Sequence, residues 1–139
     1  MILNKEVSGF ICNRLQMAIY REIIDLVQNG VCSLADADKA LLYSLGLRWG
    51  VMGPSMAFHL GAGELGIGAL MEKQSESLGE RLKDMANWKQ FPGNLAELTS
   101  NGIQEALEQR TEKEGRTIPE IAAYRDKMLL ELLKMHDKL

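Results

Sequence analysis

Apolar residues recur along the first part of the chain at the spacing of an α-helix. Ile11, Leu15, Ile19, Ile23 and Leu26 share one side of a 3.6-residue period, and Arg14, Arg21, Asp25 and Gln28 share another. The pattern predicts an amphipathic helix over Ser8 to Gln28, ended by Asn29-Gly30. Ser33, with Asp36 three residues on, reads as an N-cap box with Asp in place of Glu, and predicts a second helix that stops near Gly46. The turn "MGPS", Met52 to Ser55, carries a proline suited to the first position of the helical segment that follows, where its missing N–H is not needed. Gly61, Gly63, Gly66 and Gly68 then loosen the chain. Helical patterning resumes from Ala69 to Trp88, breaks at "FPGN", and returns from Leu95 to about Glu112, where "EGR" closes it.

Thr117-Ile118-Pro119-Glu120 offers a capping hydroxyl, a first-turn proline and a glutamate at the third helical position. The last helix therefore starts there, with Ile118, Ile121, Ala122, Met128, Leu129, Leu132 and Leu133 as its expected core stripe. No segment alternates in the period of a strand between turn residues. The expected fold is all-α, five to six helices in one domain of 139 residues.

Composition narrows the function. At 46% hydrophobic and 25% charged the chain is an ordinary globular sequence, and no window holds the ~18 unbroken apolar residues of a membrane span. A formal charge of −3 with scattered basic residues argues against a nucleic-acid reader. Cys12 and Cys32 lie in apolar periodic surroundings with no second pair, which signals neither a zinc site nor a disulfide framework and fits a reduced, cytoplasmic setting. No Glu-x-x-His pair points to a metal.

"GAGELG", Gly61 to Gly66, matches the G-x-G-x-x-G loop that cradles a dinucleotide pyrophosphate. That loop works between a strand and a helix, with an acid ending the next strand. Here "SMAFHL" precedes it and reads as helix, and Asp84 lies within the helical pattern "ERLKDMANW". The glycines are expected to link two helices rather than to hold a cofactor. His59 lacks an orienting partner other than the distant Glu64, and is expected to be a helix-end residue whose neighbours Phe58 and Leu60 do the packing; His136 is expected to be solvated.

Asn13 is more informative. At 100° per residue it shares a strip with Met17, Tyr20 and Ile24, and Gln16 also falls among apolar neighbours. A buried amide needs partners, so Asn13 either braces a neighbouring loop or meets a ligand.

The stretch "KEVSGFICNRLQMAIYREIIDLVQNGV" followed by "GLRWGVMGP" resembles the start of the C-terminal domain of the L-3-hydroxyacyl-CoA dehydrogenase family, with its G-F-x-x-N-R-L helix and later G-P turn. "RW", "FHLGAGELGIGALME" and "GRTIPEIAAYRDKMLLELL" are similar to the carnitine dehydrogenase branch, with the gulonate dehydrogenase (lambda-crystallin) branch close behind. The resemblance implies a helical domain of the 6-phosphogluconate-dehydrogenase C-terminal type, which binds substrate and forms a homodimer. It implies an N-terminal Rossmann domain, absent from this chain, that carries NAD and a catalytic His–Glu pair, so no residue here is expected to hold the cofactor and the chain alone is expected to be inactive. Asn13 is the asparagine that the family aims at the substrate's hydroxyl or keto oxygen. Trp49, Met52, Pro54 and Phe58 then become candidate pocket residues, and Trp49 would suit a trimethylammonium group. The substrate class that the resemblance implies is a 3-hydroxy acid, carnitine-like, or a 3-hydroxyacyl-CoA. A free-standing helical interaction module without catalysis is the other reading.

Overall fold

Helix α1 spans Phe10–Gln28 and α2 spans Leu34–Ala40 in a computed structural model that describes residues 3–139. The chain continues through a π-helical stretch, Leu41–Gly46, into α3, Leu47–Trp49. After the Gly-Pro turn come α4, Pro54–Gly61, a 3-10 turn at Gly63–Leu65, and α5, Gly66–Asp84. An extended stretch leads to α6, Leu95–Glu108, and a loop to α7, Ile118–Met135. Counting α2 to α3 as one continuous rod, the described residues make six helices and no strand.

The start signals behave as their chemistry demands. Ser33 Oγ accepts the Asp36 N–H at 3.1 Å and donates to the Asp36 carboxylate at 2.7 Å, so the Asp version of the cap is functional. At α7 the Glu120 carboxylate accepts the backbone N–H groups of Thr117 and Arg116, each at 2.9 Å. Those bonds hold the Glu120 carboxyl below its ordinary pKa, so the cap is strongest above the carboxylate range and is lost as pH falls through it.

Several boundaries differ from the expectation, the start of α5 at Gly66 rather than Ala69 among them. The second helix does not stop at Gly46, because the widened π turns carry it onward: a Cβ at Gly46 would sit 2.9 Å from the Leu41 carbonyl oxygen, a clash that only glycine avoids. Helix α5 ends at Asp84 rather than Trp88. Residues 85–88 are drawn out across α1, where Ala86 N–H donates to Glu22 at 3.1 Å and the Trp88 indole N–H donates to Asp25 at 3.0 Å. Helix α6 ends at Glu108, and Arg110 organises the loop beyond it by donating to the carbonyls of Glu114 and Gly115.

The core is small. Ile23, Ile24, Leu34 and Ala37 form its centre, where the second half of α1 meets α2, and Tyr20, Val27, Leu41, Trp88, Leu95 and Leu98 close around them. Helix α6 reaches this cluster through Gly102, which is buried; a Cβ there would lie 2.6 Å from Leu34 Cβ. Gly102→Ala should therefore destabilise the chain by about 1–3 kcal/mol, the usual cost of overpacking, despite raising helix propensity. Urea melts of the variant and the parent measure this.

Much else lies open. The chain exposes 11245 Å² for a mass of 15.5 kDa, where a compact monomer of that mass exposes roughly 7200 Å². The excess is on the scale of the largest permanent protein interfaces. The expected core stripe of α7 shows why: Met128, Leu129, Leu132 and Leu133 are all more than two-fifths exposed, and only the first turns of α7 touch the loop, where the Arg110 guanidinium lies 5.9 Å from the Tyr124 ring. That stripe is not core within this chain, because no other described helix lies along it.

Candidate functional site

The G-F pair ahead of Asn13 does mechanical work. Gly9 takes φ +77, a left-handed conformation open to glycine, and Phe10 is forced to φ +49, uncommon for a bulky side chain. Phe10 N–H closes the turn onto the Val7 carbonyl at 3.0 Å. The result is an abrupt helix start that fixes where the first turn of α1, and Asn13 at its end, points.

Asn13 is exposed, contrary to the expectation of a buried amide, and so is Gln16. The strip Asn13, Met17, Tyr20, Ile24 is real, but only its second half is covered: Ile24 is 0% exposed, whereas Met17 is 45% exposed. The physical reason is length. A 19-residue helix is about 28 Å long, and α2 packs only against its C-terminal half. Phe10 is consequently left in solvent on the Asn13 face, and Ile11 and Leu15 on the opposite face.

Trp49, Met52, Pro54 and Phe58 lie together at the junction of α3 and α4, helices that pack on each other. Trp49 and Met52 are half-buried; Pro54 opens α4, and Phe58, one turn on, is 50% exposed. No comparable packing joins α1 to α3 or α4 among the described residues, so Asn13 stands apart from these four.

The glycine loop connects two packed helices. Gly63 and Gly66 have φ +64 and +73, and the His59 ring lies 3.0 Å from where a Gly66 Cβ would be. His59 Nδ1 accepts the Ile67 N–H at 3.2 Å and so tethers the start of α5. The strand that a dinucleotide loop requires is missing, and the space over Gly66 is filled by imidazole; these residues do not fit NAD. Phe58 and Leu60 are both exposed, so it is the ring of His59, not its neighbours, that packs here. His136 is exposed, as expected, and its Nε2 is also hydrogen-bonded to the Gly50 carbonyl, which ties the end of α7 to the turn after α3.

One cleft, of about 430 Å³, escaped the sequence reading. It lies between α1 and the extended stretch after α5, and none of the five candidate residues lines it. Arg14 and Arg21, which read as part of a solvated polar stripe, are on its wall. The signal was invisible in the periodicity because the opposite wall, residues 88–91, comes from a segment whose path no local pattern encodes.

A family model described as the 3-hydroxyacyl-CoA dehydrogenase C-terminal domain matches residues 9–97. Among curated proteins, the chain is 33% identical to an L-carnitine dehydrogenase of Oceanobacillus iheyensis over 97% of its own length and 42% of that protein's. It is 34% identical to one of Bacillus cereus, over 99% of this chain and 40% of that protein, and 35% identical to one of Pseudomonas aeruginosa, over 94% and 39%. The chain thus spans about two fifths of the length of the relatives it matches.

Proposed function

The chain belongs to the 3-hydroxyacyl-CoA dehydrogenase C-terminal domain family, and from that membership we propose that it is the substrate-side and dimerising domain of an NAD-dependent dehydrogenase. Its reaction is the oxidation of a 3-hydroxy acid to the 3-keto product, and carnitine is the first candidate substrate because the relatives at 33 to 35% identity bear the name L-carnitine dehydrogenase. The single observation that carries the reading is the uncovered first half of α1 after a strained entry turn, where Asn13 lies between exposed Phe10 and Met17 on one face and Ile11 and Leu15 lie open on the other. An apolar surface of that kind invites a second body. A dinucleotide-binding domain, corresponding to length the relatives have beyond the match, is the proposed cover.

The cofactor would belong to that other domain. What this chain contributes is a hydrogen bond: the Asn13 side-chain N–H donates to the substrate oxygen as it gains charge, which is where a fixed donor lowers a barrier. Trp49 offers an indole face to a quaternary ammonium, with Met52, Pro54 and Phe58 as apolar wall. The apolar face of α7 is the proposed contact with a second copy, supported by the large excess of exposed surface.

The test is turnover by the chain joined behind a Rossmann domain, followed as NADH formation with L-carnitine, gulonate and 3-hydroxybutyryl-CoA. Oxidation of L-carnitine is expected, and failure with all three would end the proposal. Trp49→Leu should raise KM for L-carnitine about tenfold and leave kcat little changed, since a desolvated cation–π contact is worth ~1–2 kcal/mol of uniform binding. An equal effect on a substrate without the ammonium group would remove Trp49 from this role.

A further inference from the structure

The cleft between α1 and residues 88–91 has chemistry of its own. Arg14, Arg21 and Lys89 bring three positive charges to it, while Met17, Trp88 and Phe91 give it apolar surface. No carboxylate lines it, although the chain as a whole carries a formal charge of −3. Arg14 and Arg21 are seven residues apart, two turns of α1, and so project from the same side of the helix about 10 Å apart along its axis.

The nearest acids are engaged elsewhere. Glu22, next to Arg21, accepts the Ala86 N–H at 3.1 Å. Asp25, one turn on, accepts the Trp88 indole N–H at 3.0 Å with one oxygen and the Asn29 amide at 3.0 Å with the other. None of the ion pairs among the described residues includes Arg14, Arg21 or Lys89. Arg21 Nε is buried and has no hydrogen-bond partner. A buried N–H of a permanently charged group costs free energy unless something accepts from it, and the two terminal nitrogens of the same guanidinium form a fork that fits two oxygens of one anion.

The geometry points to a binding site for a small molecule that carries a phosphate or carboxylate on a flat apolar body. The oxyanion is taken in bidentate fashion by the terminal nitrogens of Arg21, with Arg14 and Lys89 supplying field, and the body lies against Trp88 and Phe91. These two rings are already set: they pack edge to face at 5.2 Å, Phe91 leans on Tyr20 at 5.9 Å, and the Trp88 indole is pinned by Asp25. A pre-ordered wall costs a ligand little to use. At about 430 Å³ the cleft is in the size range of small-molecule sites. The inference uses only residues of this chain and holds whether or not the dehydrogenase reading does.

The probes are phenyl phosphate and phenylacetate, titrated into the purified chain and read at the indole N–H resonance of Trp88, one of two tryptophans. A saturable shift is expected with at least one of them, and which one binds tighter tells a phosphate ligand from a carboxylate. Inorganic phosphate and phenol, each filling half of the cleft, should bind at least tenfold more weakly. Arg21→Gln should cost at least tenfold in affinity, and Arg21→Lys nearly as much, because the charge stays and the fork is lost. If Arg21→Gln does not fold, Arg14→Gln and Lys89→Gln, at exposed positions, should each weaken binding two- to fivefold. Absence of a saturable shift, or affinity unchanged in these variants, overturns the proposal. So does a change in sedimenting mass in Arg21→Gln without anion binding by the parent, which would make the cleft a contact between polypeptides.

Discussion

Ile24→Ala is expected to lower the unfolding free energy by about 3–4 kcal/mol, read as a large drop in the urea midpoint with little change in slope. Among the described residues Ile24 is the one large side chain buried completely, and it belongs to the cluster with Leu34 and Ala37 of α2 against which Trp88 of the extended stretch packs. Truncating it leaves a void at the meeting point of three segments, none of which can collapse inward without loosening the others. Most domains have only about 5–15 kcal/mol in total. With so little else buried, the same cavity takes a larger share here. Leu15→Ala is the control: a residue 60% exposed should cost less than about 1 kcal/mol in the isolated chain. If Leu15→Ala proved as damaging as Ile24→Ala, the division of α1 into a packed half and an open half would be wrong.

The second large effect concerns activity. Asn13→Ala in the chain joined to its dinucleotide-binding domain should lower kcat by about 10²–10³, the usual loss when one donor to a developing oxyanion is removed. Since the amide is exposed and has no hydrogen-bond partner among the described residues, the substitution should leave the melt of this domain unchanged. The pair of results separates chemistry from folding. A fall of less than tenfold, or a loss of activity matched by a loss of stability, would return Asn13 to a bracing role.

Those two residues also mark what was legible beforehand. The strip Asn13, Met17, Tyr20, Ile24 follows from helical geometry alone, and so do the Ser33 cap and the Thr117–Glu120 box, because each is decided within four residues of chain. How far along α1 the strip is covered depends on where α2 and α6 end, which is a matter of tertiary packing, and the sequence reading assigned burial to both halves alike. The same limit applies to α7. Its apolar stripe has correct spacing but no helix packed along it among the described residues, and periodicity reports that a face wants cover without saying what supplies it. The cleft was hidden for a related reason: Trp88 sat at the end of a plausible helix, and only the bond from its indole to Asp25 reveals that the chain has left the helix there.

The π-helical stretch at Leu41–Gly46 has a consequence for Trp49. Closing hydrogen bonds over five residues instead of four accommodates, in effect, one residue beyond what α geometry would need, so everything after it is turned relative to α2. Deleting a single residue from this stretch would let the rod relax to regular α-helix with the indole facing nearly as it does now, whereas winding all six residues as regular α-helix would swing it by about 100°. The direction in which Trp49 faces is thus set by the winding of the chain before it, and a substitution that returned these six residues to regular α-helix would present a different wall with the same tryptophan.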